Sequence, residues 1–180
     1  MGSRTFMLFM AVDQKDITLP VSDWLDENNG IWQLFEDARD CKKCNILYDL
    51  NGKHGHHFYD IIHVINRCNL KSLNFLSLDI LEDEKGAILT GIELIPIIRS
   101  LTIIIDELLS HANPLNCLSV GREIDEQKMQ IAFDNSEAYR KVDLDYYEEE
   151  GLFIILKSLL SVMTDALVNN KVFVYIQFTV

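Results

Sequence analysis

The sequence predicts an α+β fold: a small sheet that includes both ends of the chain, packed against several helices. Two short runs rich in β-branched, aromatic and large apolar residues, 5–12 and 171–180, predict strands. Between them the apolar residues recur with helical spacing. No internal repeat and no Gly-, Ser- or Pro-rich linker divides the chain. We therefore expect one globular domain over residues 1–180.

The composition limits the class of protein. The chain has 180 residues, of which 48% are hydrophobic and 24% charged, with 8 Gly and 3 Pro. A chain of this length removes roughly 70% of its unfolded surface from water, so it needs neither disulfides nor metal to fold. Its composition excludes disordered, collagen-like and low-complexity classes. The four cysteines are too few for a secreted disulfide framework, which favours the reducing cytoplasm.

The last strand shows the expected alternation. One face carries only apolar side chains and the other also carries polar ones. The apolar set is Val172, Val174, Ile176 and Phe178. This pattern predicts a sheet with one face fully covered, and we expect the two terminal strands to pair.

Two long helices are predicted in the second half of the chain. Thr90 and Glu93 have the spacing of a capping box and open a helix over about 91–111. Because its apolar residues lie almost all round, we expect this helix to be largely buried, and the most buried of all. A second helix over 148–168 begins with three acids and ends at Asn169 and Asn170.

Shorter elements are predicted elsewhere. Short helices are expected near 22–26 and 31–39, and an amphipathic helix over 57–68. The alternation of residues 73–81 predicts a strand, followed by an acidic turn over 82–86. No stretch predicts a membrane span, since charged residues interrupt the longest apolar region.

Two overlapping constellations have the residue types of a metal site. The Cys-x2-Cys pair Cys41 and Cys44, with the histidines that follow, resembles half of a zinc site. Alternatively, a helix extended back to residue 56 aligns imidazoles and a carboxylate on one face. The candidate ligands are His54, His56, His57, Asp60 and His63. The competing interpretation is that the cysteines are small, partly buried apolar residues and the histidines face water.

Familiar catalytic motifs are missing from the sequence. It has no Gly-x-Ser-x-Gly elbow, no phosphate-binding glycine loop, no dinucleotide fingerprint and no His-Glu-x-x-His pair. Enzymatic activity is therefore the less expected class, and no cofactor is predicted. A metal-dependent enzyme or metal-binding domain built on the cluster 54–63 stays open as the alternative function.

Charge is the most informative feature of the sequence. The formal net charge is −12, from 28 acids and 16 bases. Residues 121–150, here called the acidic segment, hold ten acids and four bases, a balance of −6. Met129, Phe133 and three tyrosines lie among them, and apolar anchors beside acids suit the docking of a basic partner. The competing interpretation is a solvated helix and loop whose aromatic side chains face the core.

These observations predict a non-enzymatic binding protein. Immunity and antitoxin-like inhibitors, which occlude a basic toxin or nuclease, are typically small acidic α+β proteins without catalytic motifs. Strong negative charge disfavours nucleic acids and anionic membranes as direct partners. A homodimer is a further possibility. The predicted partner-binding residues are Asp134, Glu137, Asp143, Asp145, Tyr146, Tyr147, Glu148, Glu149 and Glu150, and a secondary acidic site is expected at 82–84.

Overall fold

The computed structural model describes several separate stretches of the chain. They are residues 5–14, 46–49, 61–66, 68–73, 84–109, 126–136 and 149–179. The helices predicted near 22–26 and 31–39 lie outside the described residues, as does most of the strand predicted over 73–81.

The described strands form one antiparallel sheet. In chain order they are β1 (Thr5–Val12), β2 (Ile46–Asp49), β3 (Glu84–Thr90) and β4 (Val172–Thr179). Their order across the sheet is β2-β1-β4-β3, and each neighbouring pair is antiparallel. The two terminal strands therefore form the middle of this sheet.

The predicted pairing of the chain ends is confirmed. β1 and β4 pair along their whole length, from Thr5 opposite Thr179 to Val12 opposite Val172. On one face Phe9 packs near Phe173, with ring centroids 6.5 Å apart. A core strand at each end of the chain ties both termini into the domain.

The alternation predicted that only one face of the sheet would be fully buried. In the structure both faces of β1 and β4 are buried, as far as their side chains are described. Phe9, Ala11, Phe173 and Tyr175 belong to the main hydrophobic cluster, so the predicted partly polar face carries the core. A second set, which lies on the opposite face because of the alternation of strand side chains, is also buried: Met10, Val172 and Val174.

β3 corrects the acidic turn predicted over 82–86. Glu84, Lys85 and Gly86 pair with Phe178, Gln177 and Ile176 of β4. Their charges and the glycine gave a turn signal, but a strand at the edge of the described sheet tolerates such residues. β2 was likewise not predicted, because an alternating pattern cannot be recognised over only four residues.

Four described segments are helical. Residues 61–66 form α1, followed by a 3₁₀ turn at Lys71–Leu73. The longer helices are α2 (Gly91–Leu109), α3 (Glu126–Asn135) and α4 (Glu149–Val168). α1 lies within the amphipathic helix predicted over 57–68, and α2 and α4 match the two predicted long helices within two residues. The α+β class is therefore confirmed.

α4 is the centre of the hydrophobic core. It contacts β1, β4, α2 and α3. It buries side chains nearly all round in its first three turns, whereas α2 buries one face. The prediction that the helix near 91–111 would be the most buried is therefore wrong among the described helices, although α2 does contribute seven buried residues to the core.

One helix in the described part of the chain is long and apolar enough to cross a membrane. It is α4, over residues 151–168, and 61% of this segment is buried inside the protein. Its contacts with the sheet and with two helices account for that burial. α4 is thus a core helix of the kind found in soluble domains.

Local hydrogen bonds define where the helices begin and end. The Glu93 carboxylate accepts hydrogen bonds from the Thr90 backbone N–H (2.9 Å) and hydroxyl (3.1 Å), so the predicted capping box is formed through its acidic half. At the end of α4, Asn170 has a left-handed φ of 52°, and the Lys171 N–H donates to the Ala166 carbonyl at 2.8 Å. This Schellman-type end confirms the predicted stop.

Candidate protein-binding surface

The orientation of α3 is set by its apolar side chains. Met129 is 1% exposed and Ala132 is buried. The Phe133 ring packs edge-on against Phe153 of α4, with centroids 5.3 Å apart and the planes at 83°. These contacts hold one face of α3 against α4 and leave the opposite face in water.

The exposed residues of α3, a helix within the acidic segment, form a surface that we call the α3 outer face. Its members are Gln127, Lys128, Gln130, Ile131, Asp134 and Asn135. Ile131 is 52% exposed, and Asp134 lies three residues further along the helix, so the two side chains are neighbours. Asp134 Oδ1 accepts a hydrogen bond from Gln130 Nε2 at 2.9 Å. An apolar side chain and a carboxylate therefore face solvent together.

Lys157 fixes the end of α3. Its Nζ donates hydrogen bonds to the carbonyl oxygens of Phe133 and Ser136, the latter at 3.0 Å. The same Nζ lies 4.0 Å from the centroid of the Phe133 ring. A cation at this position gives the last carbonyl groups of the helix a charged donor and balances the negative end of the helix dipole. The chain is thus anchored at Ser136, where residues 137–148 begin.

The described contact that stabilises Asp134 within its own helix is the hydrogen bond from Gln130. Asp134 lies in the last turn of α3, where the helix dipole disfavours a negative charge. Glu149 and Glu150 are the first two residues of α4, where acids favour the helix. The helix dipole therefore favours Glu149 and Glu150 at their positions and disfavours Asp134 at its position.

The structure describes three of the nine predicted partner-binding residues. They are Asp134, in the last turn of α3, and Glu149 and Glu150, at the start of α4. The other six lie outside the described residues: Glu137, Asp143, Asp145, Tyr146, Tyr147 and Glu148. Of the secondary acidic site at 82–84, only Glu84 is described, as the first residue of β3.

The structure describes two of the apolar residues that the sequence suggested as anchors. Met129 is buried in the core and Phe133 is partly buried against it, and the three tyrosines lie outside the described residues. Ile131 is the exposed apolar residue of α3, and the sequence prediction missed it. Helical spacing held the signal, because Met129, Ala132 and Ser136 share one face and Ile131 falls outside it.

The predicted metal ligands are mostly outside the described residues. His54, His56, His57 and Asp60 are among these, as are Cys41 and Cys44. His63 is half-buried on α1 between the buried residues Ile61 and Val64. Within the stretches that the structure describes, no group of three or more His, Cys, Asp or Glu side chains could hold a metal ion.

A second surface feature runs along α4. It is an open groove of about 440 Å³, and its described lining consists of Lys157, Leu160, Ser161, Thr164, Asp165, Val168 and Asn169. At its far end Lys171 Nζ lies 3.0 Å from Asp165 Oδ2, and Asn169 Nδ2 donates to Oδ1 at 2.6 Å. The hydrogen bond from Lys171 lowers the pKa of Asp165, with further lowering by Asn169 and by the Lys171 charge, against partial desolvation. These polar contacts secure the end of α4.

Comparison with known proteins adds no family to this description. No family model matches the chain, and neither a curated protein nor a solved structure is significantly similar to it. Any functional conclusion must therefore come from the residues themselves.

Proposed function

We propose that this chain is a non-enzymatic acidic binding protein that acts as an immunity or antitoxin-like inhibitor. It would dock on the basic surface of a toxin or nuclease and occlude it. The observation that carries the proposal is the exposed pair Ile131 and Asp134 within the acidic segment, which holds half of the formal charge of −12. The proposed location is the cytoplasm, in keeping with the sparse cysteines.

The two kinds of residue would have separate roles. The acids of the segment would attract a cationic protein over long range and speed association. Ile131 would lose its contact with water in the complex and slow dissociation. The dipole argument supports this division, because an acid that the dipole of its own helix disfavours is stabilised by a cationic partner.

The first experiment is a pull-down with the full chain as bait and washes of increasing salt concentration. We expect one stoichiometric basic protein that elutes only at high salt, because the attraction between exposed charges is screened. The purified bait should then inhibit the toxic or nucleolytic activity of that protein. Binding without inhibition would contradict the inhibitor role, and binding that is insensitive to salt would contradict electrostatic recognition.

Matched variants test the assigned residues with the captured partner. Replacing Asp134, Glu137, Asp143 and Asp145 together by their amides should lower the association rate by about tenfold or more. Asp134→Asn alone should slow association more than Asp106→Asn, a control that removes an exposed acid from α2. Unchanged association rates in the fourfold variant would refute the proposal.

The apolar anchor has a control of its own. Ile131→Ala should speed dissociation several-fold, because the complex loses a desolvated contact. Val168→Ala removes a comparably exposed apolar side chain from α4, where 73% of the residue is accessible, and should leave dissociation unchanged. Equal effects of the two substitutions would show that Ile131 has no specific role.

A further inference from the structure

α2 carries an apolar stripe on the side that faces away from the core. Ile92 is 84% exposed and Ile103 is 45% exposed, and Pro96 and Arg99 between them are exposed as well. The positions 92, 96, 99 and 103 follow one another at steps of four, three and four, which keeps them on one line along a helix. We call this line the α2 outer stripe.

The stripe lies opposite the buried face of the helix. Buried side chains of α2 recur from Leu94 to Leu108, about half a turn away from the stripe. A single exposed isoleucine needs no explanation, but an apolar stripe at the 4–3–4 spacing is the pattern of a helix that packs on another helix. None of the described elements covers it, since these residues are exposed in the folded chain.

The exposed charges on α2 indicate what kind of helix would pack on the stripe. Glu93 lies near the start of the helix, where it caps Thr90 through Oε2, Arg99 lies in the middle, and Asp106 lies near the end, all three exposed. In a parallel pair of α2 helices Arg99 would meet Arg99, which is repulsive. In an antiparallel pair, stacking Ile92 on Ile103 of a second copy places Arg99 beside Pro96 and within one turn of Glu93 of that copy.

We propose that the chain forms a two-fold symmetric dimer through the α2 outer stripe. In this dimer each Ile92 packs on Ile103 of the second copy, and each Arg99 pairs with Glu93 of the second copy. A two-fold interface uses the same patch twice, and the stripe is complementary to itself in that arrangement. The proposal does not depend on the proposed function, because it uses α2 and not α3 or the acidic segment.

The test begins with the mass of the full chain in solution. Sedimentation at physiological ionic strength, where the Debye length is about 8 Å and the repulsion between two copies is screened, should give twice 20.8 kDa at high concentration. Ile92→Lys and Ile103→Lys should each raise the dimer dissociation constant about tenfold or more, and Arg99→Glu should raise it as well. Val168→Lys, at an exposed site on α4, is the matched control and should leave it unchanged.

Cysteine cross-linking tests the arrangement itself. Ile92 lies eleven residues from Ile103, or about 16 Å along the helix at about 1.5 Å per residue. A mixture of the single variants Ile92→Cys and Ile103→Cys should therefore form a mixed disulfide, beyond the background of the native cysteines in the parent chain. Neither variant alone should do so, because like positions are too far apart in the antiparallel pair.

Three results would overturn the proposal. They are a monomeric mass at every concentration, a dimer that tolerates both lysine substitutions, and efficient cross-linking of Ile92→Cys to itself. Circular dichroism of each variant separates loss of the dimer from loss of the fold. A monomer that still inhibits a basic partner would refute the dimer alone, and a dimer that captures no basic partner would leave the dimer intact.

Discussion

The two long helices, α2 and α4, are nearly equal in length and both rich in apolar residues, yet they are buried to different extents. α2 has 19 residues and α4 has 20. α4 lies between the sheet and two other helices and is buried nearly all round in its first three turns, whereas α2 presents Ile92 and Ile103 to water. Burial thus follows from the number of neighbours that the fold supplies, and apolar content alone does not decide it.

Alanine substitution in each helix tests this difference in burial most directly. Leu159 of α4 is fully buried, so Leu159→Ala should lower the free energy of unfolding by about 2–5 kcal/mol, through lost burial and a cavity. Ile103→Ala on the α2 outer stripe should change it by less than about 0.5 kcal/mol in the dilute protein. Urea unfolding of both variants measures the difference. Equal losses would show that the stripe is part of the core.

Substitution of Lys157 should have an effect of intermediate size on stability, and it tests how α4 holds α3. Lys157→Met should cost about 1–3 kcal/mol of unfolding free energy, because the carbonyls of Phe133 and Ser136 lose their charged donor. Lys157→Arg should restore part of the loss, whereas Arg99→Met on the exposed face of α2 should cost little. Amide exchange in α3 should accelerate in Lys157→Met. Unaltered exchange would show that Lys157 does not anchor that helix.

The smallest expected effect is a pH dependence at the end of α4. The pKa of Asp165 is lower in the folded protein than its ordinary value of 3.8, so its pairing with Lys171 stabilises the fold above that pH. This contribution is lost as the pH falls through the folded pKa and the carboxylate is protonated. The destabilisation caused by Lys171→Met should therefore be measurable at pH 7 and shrink below about pH 4. Thermal melts across this range, with Arg99→Met as a control, test it, and a constant difference would contradict it.

Elements with a strong local signal were predicted well. β1 has the bounds that the sequence indicated, because eight consecutive residues suit a strand. The start of α2 was predicted from Thr90 and Glu93, and the end of α4 from Asn170, because their capping contacts are local in sequence. Burial of Tyr175 raises the pKa of its hydroxyl above the usual range, yet nothing in the alternation of β4 distinguished this face as the core.

Elements that depend on distant partners were not predicted. β3 begins with Glu84, Lys85 and Gly86, which locally favour a turn, and only pairing with β4 makes them a strand. Of the apolar anchors that the sequence predicted, Met129 and Phe133 lie on α3, and the three tyrosines lie outside the described residues. Those two side chains contact the core because α3 packs on α4, and this packing leaves Ile131 exposed.

The sequence by itself determined the α+β class, the strands at the chain ends, the limits of the long helices and the concentration of negative charge, because each depends on neighbouring residues or on composition. The tertiary structure decided which of the two long helices is central, that both faces of the central strands are buried where their side chains are described, and which described apolar side chains remain in water. Those outcomes depend on contacts between segments far apart in the chain, and on the single face that each helix can turn to a neighbour.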